Sequence, residues 1–531
     1  MIPRVVGSVF GSLGAYLLWK ILNGLYAELT SPLRYLPGPK SSHWFYGNLL
    51  EVAADEHSGL EERYVKEYGR TFKYHWLFGK ASLYTTDAKA VHHFLSNTEI
   101  YQKSPSLRFS LSRVVGPGVL VMEGDAHKKQ RKIMNPAFGA PQIRELTEIF
   151  VEKSIQLRNI WAAQATRDGG TARVEIVSWL SKATLDIIGL AGFNYNINAL
   201  GAEHGDTPDE LAEAFETVVK SETGFNFFRL LQVLFPVLQS IPVRPTKSQA
   251  TIMRIGRKLL ADSKQEIKAN GTFETGRARD LLNLLVRANT SKDIPANQQL
   301  SDEDVIAQVP TFLVAGHETT STAVTWALFA LTQNKAAQTR LREELLNVST
   351  ETPDMEELNA LPYLDWVVRE TLRVHAPVPS TSRIAMRDDV VQLGTPFTDS
   401  KGKVQDSVRV RKGDSISIPI LALNRDAEIW GPDAMEFVPE RWETAASNNI
   451  PGIWGHMLTF IGGPRSCIGF RFSLIEMKAL LFTLIRGLEF ELAVPIEDIG
   501  KKSTAIVQLP IVRSEPAAGN QMPLLVRPVV R

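Results

Sequence analysis

The 531-residue chain carries 59 lysines and arginines against 58 aspartates and glutamates, a formal net charge of +1, and 44% of its residues are hydrophobic. That balance excludes a disordered acidic chain and a nucleic-acid binder working through a global basic field, so any electrostatic recognition must come from local patches. A single cysteine, Cys467, excludes an intrachain disulfide and a cysteine-rich zinc site, and it points to a reducing compartment for the main body.

The first element is apolar. Between Arg4 and Lys20 run fifteen uncharged residues, VVGSVFGSLGAYLLW, and ILNGLYA extends the stretch to Ala27. About 20 residues are available if Lys20 snorkels, which suits one transmembrane helix. A cleaved signal peptide is the rival, but no good small-x-small cleavage site precedes Glu28. Lys20, Arg34 and Lys40 follow the span against Arg4 ahead of it, which places the body in the cytosol by the positive-inside rule. The sequons at Asn270, Asn289 and Asn347 are then expected to stay unmodified. The chain divides into an anchor over 1–30, a stiff proline-rich hinge over 31–40 containing LPGPK, and one domain over 41–531.

Thr71 to Asp87 alternates and is rich in β-branched and aromatic residues, so it reads as a strand pair. Helical periodicity follows over Asp125–Asn135, Thr147–Trp161, Pro208–Thr223, Ser248–Lys268, Ser301–Thr332, Lys335–Leu346, Tyr363–His375 and Arg471–Arg486. Strand-like runs return near Asp414–Pro419 and towards the C-terminus. The class is mostly α with a minor β part, α+β, without internal repeats.

A lone cysteine is usually a small buried hydrophobe. Here it sits in FIGGPRSCIGF, where Phe460-x-x-Gly463-x-Arg465-x-Cys467-x-Gly469 fixes five positions. At about 1/20 per position, a chance match in a chain of this length is roughly one in several thousand. The pattern resembles the heme-binding loop of the cytochrome P450 superfamily, and the chain looks similar to its fungal microsomal members. The resemblance implies the cytochrome P450 fold and heme b (iron protoporphyrin IX) with Cys467 as axial thiolate ligand. Gly463 and Gly469 would let the backbone turn tightly and approach the porphyrin, Phe460 would shield the sulfur, and the helix starting near Gly469 would turn its positive end to the thiolate.

Three further segments agree with the resemblance. AGHETT, Ala315 to Thr320, matches the family's oxygen-binding signature, in which Thr319 bonds back to the Ala315 carbonyl, Gly316 opens a groove, and Glu318 and Thr319 relay protons to bound oxygen. Pro310, mid-helix, is expected to add a kink. Glu370 and Arg373 at i, i+3, with Arg441 of PERW, match a buried Glu-Arg-Arg network. The two heme propionates would take His127, Arg131, Arg383 and Arg465, with histidine where the family often has tryptophan.

Lys128, Lys129 and Lys132 form a basic run expected on the proximal face. On the resemblance it would dock an acidic NADPH-cytochrome reductase, since no G-x-G-x-x-G opening a βαβ unit supplies a nicotinamide site in the chain itself. The distal pocket would draw on Leu107–Leu120, Phe312, Leu313, Ala315, Val378 and Ile506–Leu509. That apolar lining implies dioxygen and a hydrophobic small-molecule substrate drawn from the membrane, terpenoid or polycyclic aromatic, in fungal secondary metabolism or xenobiotic oxidation. No nucleic acid is expected, and the location implied is the endoplasmic reticulum membrane, single-pass, with the catalytic domain facing the cytosol. The alternatives are a heme-thiolate isomerase or peroxide-using enzyme, which Glu318 and Thr319 argue against, and a non-catalytic heme sensor.

Overall fold

Whether a helix sits in a core is decided by how much of its circumference is apolar. Gln308–Gln333 is apolar on nearly every face and buried along most of its 26 residues. The computed structural model of the chain describes residues 14–16, 18–19, 22–24, 26, 28–54, 59–202, 209–214, 217, 232, 246–270, 280–290, 295, 299–444, 448–504 and 506–529. Much of the apolar N-terminal stretch, and most of the helix expected over Pro208–Thr223, lie outside the described residues.

The helix expected over Ser301–Thr332 forms in two pieces. Ser301 and Asp304 make a capping box at the start of Asp302–Ile306, the chain breaks at Ala307, and the long helix restarts at Gln308. The interruption falls in the turn ahead of Pro310, where that proline removes the bond to Ile306 O, and Ala307 itself keeps helical angles (φ −63°, ψ −18°). Three residues past it, Pro310 occupies the first turn of the new helix, where backbone N–H groups have no intrahelical acceptor and its missing donor costs nothing.

Helix Ile176–Phe193 packs along this central helix. It is the one helix among the described residues long and apolar enough to cross a membrane, and it is mostly buried in the core. The contact is close at Gly316, where a Cβ would lie 2.8 Å from Ile188 Cγ1. Gly316 is therefore required by the packing of the two helices. Ala140–Arg167 packs on Phe470–Gly487, with the Phe150 and Phe472 rings edge-on at 4.7 Å.

The β part is small. A five-stranded sheet runs Thr71–His75, Ala81–Thr85, Ser415–Ile418, Thr381–Ala385, Tyr101–Gln102. Its first pair is the expected antiparallel hairpin, Thr71 opposite Thr85, and its second contact, Ala81–Thr85 with Ser415–Ile418, is parallel. A three-stranded sheet joins Ala172–Glu175, Pro523–Pro528 and Leu488–Leu492, and two hairpins, Asp389–Thr398 with Val404–Val410 and Ile499–Ser503 with Gln508–Val512, complete the set.

Candidate active site

The Cys467 loop is held by glycines and by strain. Gly463 has φ +71°, and a Cβ there would lie 2.6 Å from Leu95 O, so both backbone and packing exclude other residues. Ile461 is β-branched yet takes φ +57°, a conformation costing ~1–3 kcal/mol that persists only where the surroundings enforce it. They do so here: Ile461 N–H donates to Leu458 O at 2.7 Å and its carbonyl accepts from Ile453 N–H at 3.2 Å. Gly469, by contrast, has an ordinary φ of −89°, and an added Cβ would meet only the Phe138 ring at 3.8 Å, so no described atom demands a glycine there. The expected tight turn is found at Gly463 and not at Gly469.

Cys467 N–H donates to Phe460 O at 2.9 Å, and helix Phe470–Gly487 begins directly behind the sulfur with Gly469 as its N-cap. The Cys467 side chain is exposed, yet burial raises its thiol pKa, opposed by the Gly469 N–H and the Arg131 guanidinium. Both hold for a sulfur that opens into interior space rather than onto the outer surface. Arg131 is positioned by Nη1 donating to Ser466 O at 2.7 Å and Nε donating to Asn135 Oδ1 at 2.8 Å.

The loop is anchored from below by a buried ionic network. Arg373 and Glu370 are both fully buried and meet side-on, Nε to Oε2 at 2.8 Å and Nη2 to Oε1 at 2.7 Å. Glu370 also accepts from Trp442 Nε1 at 2.9 Å and Val438 N–H at 3.0 Å, and Arg441 Nε stands 3.4 Å away. The expected triad is thus assembled. Arg373 Nη1 donates to Asn424 O at 2.9 Å, while the Asn424 side chain accepts from Leu458 N–H at 2.9 Å and donates to Thr459 Oγ1 at 2.8 Å. These contacts run from the triad to the residue preceding Phe460.

The central helix carries the second group of expected residues. Ala315 is exposed although Leu313 and Val314 beside it are buried, so this face of the helix borders interior space. Thr319, one turn on, donates to Ala315 O at 2.7 Å, as expected. Burial pushes the half-buried Glu318 carboxyl up to about 7. Burial also lowers His317 to about 4, and its Nδ1–H donates to Leu313 O at 2.7 Å. Thr320 and Ser473 hydroxyls meet at 3.1 Å and tie this helix to the one behind Cys467.

Comparison with known proteins decides what this arrangement belongs to. The family model for cytochrome P450 matches residues 37–512. Cytochrome P450 monooxygenase 205 of Postia placenta is 52% identical over 97% of this chain and 96% of its own length, and cytochrome P450 monooxygenase 128 of the same fungus is 49% identical over 100% and 98%. Cytochrome P450 monooxygenase claO of Ampulloclitocybe clavipes is 35% identical over 94% of each chain. The chain belongs to the cytochrome P450 family. It is an oxidoreductase, a monooxygenase, and cytochrome P450 proteins bind heme b with a cysteine thiolate as axial ligand. Membership implies dioxygen, a hydrophobic substrate and a redox partner.

Donor chemistry tests whether the P450 cofactor fits. Lys103, Arg108, Arg383 and Arg465 converge, and burial together with the three arginines drives the Lys103 pKa well down. Arg465 pairs with Glu123 and donates to Met122 O at 2.6 Å, and burial lowers it to about 10. Arg383 donates to Thr381 Oγ1 at 2.8 Å and Ser382 O at 2.7 Å and is also lowered to about 10 by burial. Among the described residues Glu123 is the only carboxylate that an ion pair brings to this cluster. Three arginines and a lysine around one acid leave positive charge uncompensated, a cost that a ligand bearing two carboxylates would offset. Heme b is such a ligand. Buried His127, held to about 4 by burial, Lys103 and Arg131, adds a neutral imidazole.

Lys103, Arg108 and Glu123 escaped the sequence reading. They come from a strand end, a helix and a helix cap, joined only by the fold, and no spacing marks them. Nor did the sequence reveal the groove of about 700 Å³ beside the start of helix Phe470–Gly487, lined in part by Trp366, Arg369, Trp454, Phe470, Arg471 and Lys478.

Proposed function

We propose that this cytochrome P450 is a membrane-anchored, single-pass monooxygenase of the endoplasmic reticulum that hydroxylates a terpenoid or polycyclic aromatic substrate with electrons from an NADPH-cytochrome reductase. Cys467 supplies the axial thiolate, and Arg131 and the Gly469 N–H favour its charged form. Lys103, Arg383, Arg465, Arg131 and His127 hold the propionates. When bound, the heme supplies the iron at which dioxygen is activated for insertion into a carbon–hydrogen bond. The chain's own task is proton traffic. With a pKa near neutrality Glu318 both gains and loses a proton at physiological pH, and Thr319, anchored on Ala315 O, orients the last hydroxyl of the path.

The anchor is supported by the described parts of the N-terminal helix, where Leu18, Trp19, Leu22, Tyr26 and Leu29 are each 56–66% exposed. The reductase would dock across Lys128, Lys129 and Lys132 and the groove rimmed by Arg471. An apolar substrate would meet the half-buried apolar side chains of Val378 and Ile506 and the central helix at Phe312 and Ala315.

The observation that carries the proposal is the lone thiol, open to interior space at a helix N-terminus beside Arg131. The reduced protein should give the carbon monoxide difference band of thiolate ligation, absent from Cys467→Ser. An unchanged band in that variant overturns the assignment. A substrate panel in reductase-containing microsomes then tests the substrate class, and turnover without reductase would overturn the partner.

A further inference from the structure

One tryptophan outside the chemistry joins three separate elements. Trp326, on the central helix two turns beyond Thr319, is 2% exposed. Its Nε1–H donates to Gln508 O at 3.0 Å, and Gln508 N–H donates in turn to Pro377 O at 2.9 Å. His375, the C-cap of helix Pro362–Val374, stacks on the indole at 5.2 Å and 10°. Lys501 Nζ lies 4.8 Å from the indole centroid. The indole therefore touches both strands of hairpin Ile499–Ser503/Gln508–Val512 and the residue that leads into the Ala376–Pro379 turn. Phe329 is set edge-on to Trp326 at 5.5 Å and to His375 at 6.1 Å, which fixes the stack laterally.

The tip of the hairpin has its own lock: Thr504 N–H donates to Val507 O at 2.8 Å and Thr504 Oγ1 to the same oxygen at 2.9 Å. Val507 and Ile506 are thus held to Thr504, and their placement is set at the hairpin base, by Gln508. Val378 on the turn and Ile506 on the tip are half-buried apolar residues at the ends of these two segments.

We infer that Trp326 is a specificity-determining positioning residue, a strut that makes the Val378 turn and the Ile506 tip move as one wall of the substrate pocket. The inference rests on the proposed pocket. A wall held by one indole hydrogen bond to Gln508 O and by the Gln508 N–H to Pro377 O bond beside it presents a fixed contour, and pre-organisation of that kind contributes to the affinity of a ligand large enough to touch it. A ligand too small to reach the wall is indifferent to the strut.

The test compares two iron-binding probes of different size on the full-length holoprotein. In Trp326→Phe, which keeps a ring and removes the donor, clotrimazole should bind at least about fivefold more weakly by its spectral shift, with imidazole unchanged. Lys501→Met should weaken clotrimazole in the same direction by less, and it serves if Trp326→Phe fails to accumulate. Amide exchange provides the second readout: Val378 and Ile506–Leu509 should speed up together in Trp326→Phe. If clotrimazole and imidazole shift equally, or neither shifts, or the two segments exchange independently, the strut is overturned. An absent imidazole shift in the unmodified protein would sink the heme assignment instead, and the exchange data would still decide the strut.

Discussion

Two glutamates, fully buried Glu370 and half-buried Glu318, show how the same side chain becomes scaffold in one place and chemistry in another. Glu370 accepts from Arg373 twice, from Trp442 and from a backbone amide, with Arg441 in addition. Glu318 has burial as the single cause of its raised pKa. The difference lies in the number of donors: Glu370 is held by donors fixed around it, whereas Glu318, set in a half-buried, weakly polar place, exchanges a proton near neutrality. The contrast breaks first at the scaffold. Glu370→Ala leaves fully buried Arg373 without its counter-ion, a loss of ~3–5 kcal/mol, and because Arg373 reaches the cysteine loop through Asn424, holoprotein should be lost with it. Heme per chain and thermal unfolding measure this, and normal heme content in the variant would make Glu370 dispensable.

At Glu318 the fold should survive and the chemistry should not. Glu318→Gln is expected to keep the carbon monoxide band and to lower product formation on the order of ~10²-fold, the span of one acid–base group. Thr319→Ala should divert reducing equivalents to peroxide at similar heme content. The pH dependence has a definite sign. Below about 7 the carboxyl carries its proton, so a rate limited by proton delivery falls as pH rises through that value, and Glu318→Gln should flatten the profile. For stability, the folded chain holds this proton between the ordinary value of 4.5 and about 7 while the unfolded chain has lost it, so the contribution of this group declines as pH rises across that window. An inflection near 7 that persists in the glutamine variant would assign the proton to another residue.

What could be read in advance follows the same divide. Contacts made within one segment left a spacing in the sequence: Thr319 to Ala315 at i, i−4, Glu370 to Arg373 at i, i+3, and the loop around Cys467. Contacts made between segments left none unless a motif marked them, as PERW marks Arg441, and so Lys103, Arg108, Glu123 and the packing of Gly316 on Ile188 have no signal in the sequence. Helix Ile176–Phe193 escaped because a helix buried on most sides lacks the one-sided periodicity that marks a surface helix. Hairpin Asp389–Thr398/Val404–Val410 escaped because the Gly-Thr-Pro in its first strand reads as a turn, and the register shift between Gln392 and Phe397 is where that signal was absorbed.

The smallest expected effects lie on the proximal surface, where a second contrast of paired and unpaired groups applies. Lys128 is held by Glu99 at 2.6 Å and Asp125 at 3.5 Å, so its charge is answered locally. Arg471 is exposed on the rim of the groove beside the Cys467 helix, its guanidinium 4.5 Å from the Phe470 ring centroid. An acidic partner should therefore feel Arg471 more than Lys128, although the lysine run is the more conspicuous in sequence. Arg471→Ala should slow reduction by an NADPH-cytochrome reductase about three- to tenfold at low ionic strength, and Lys128→Ala less than about twofold. Both differences should shrink at high salt as the Debye length falls to about 3 Å, and neither substitution should measurably change thermal stability. Stopped-flow reduction across a salt series measures the order directly, and a larger, salt-sensitive effect at Lys128 would move the docking centre from the groove to the helix Gly124–Met134.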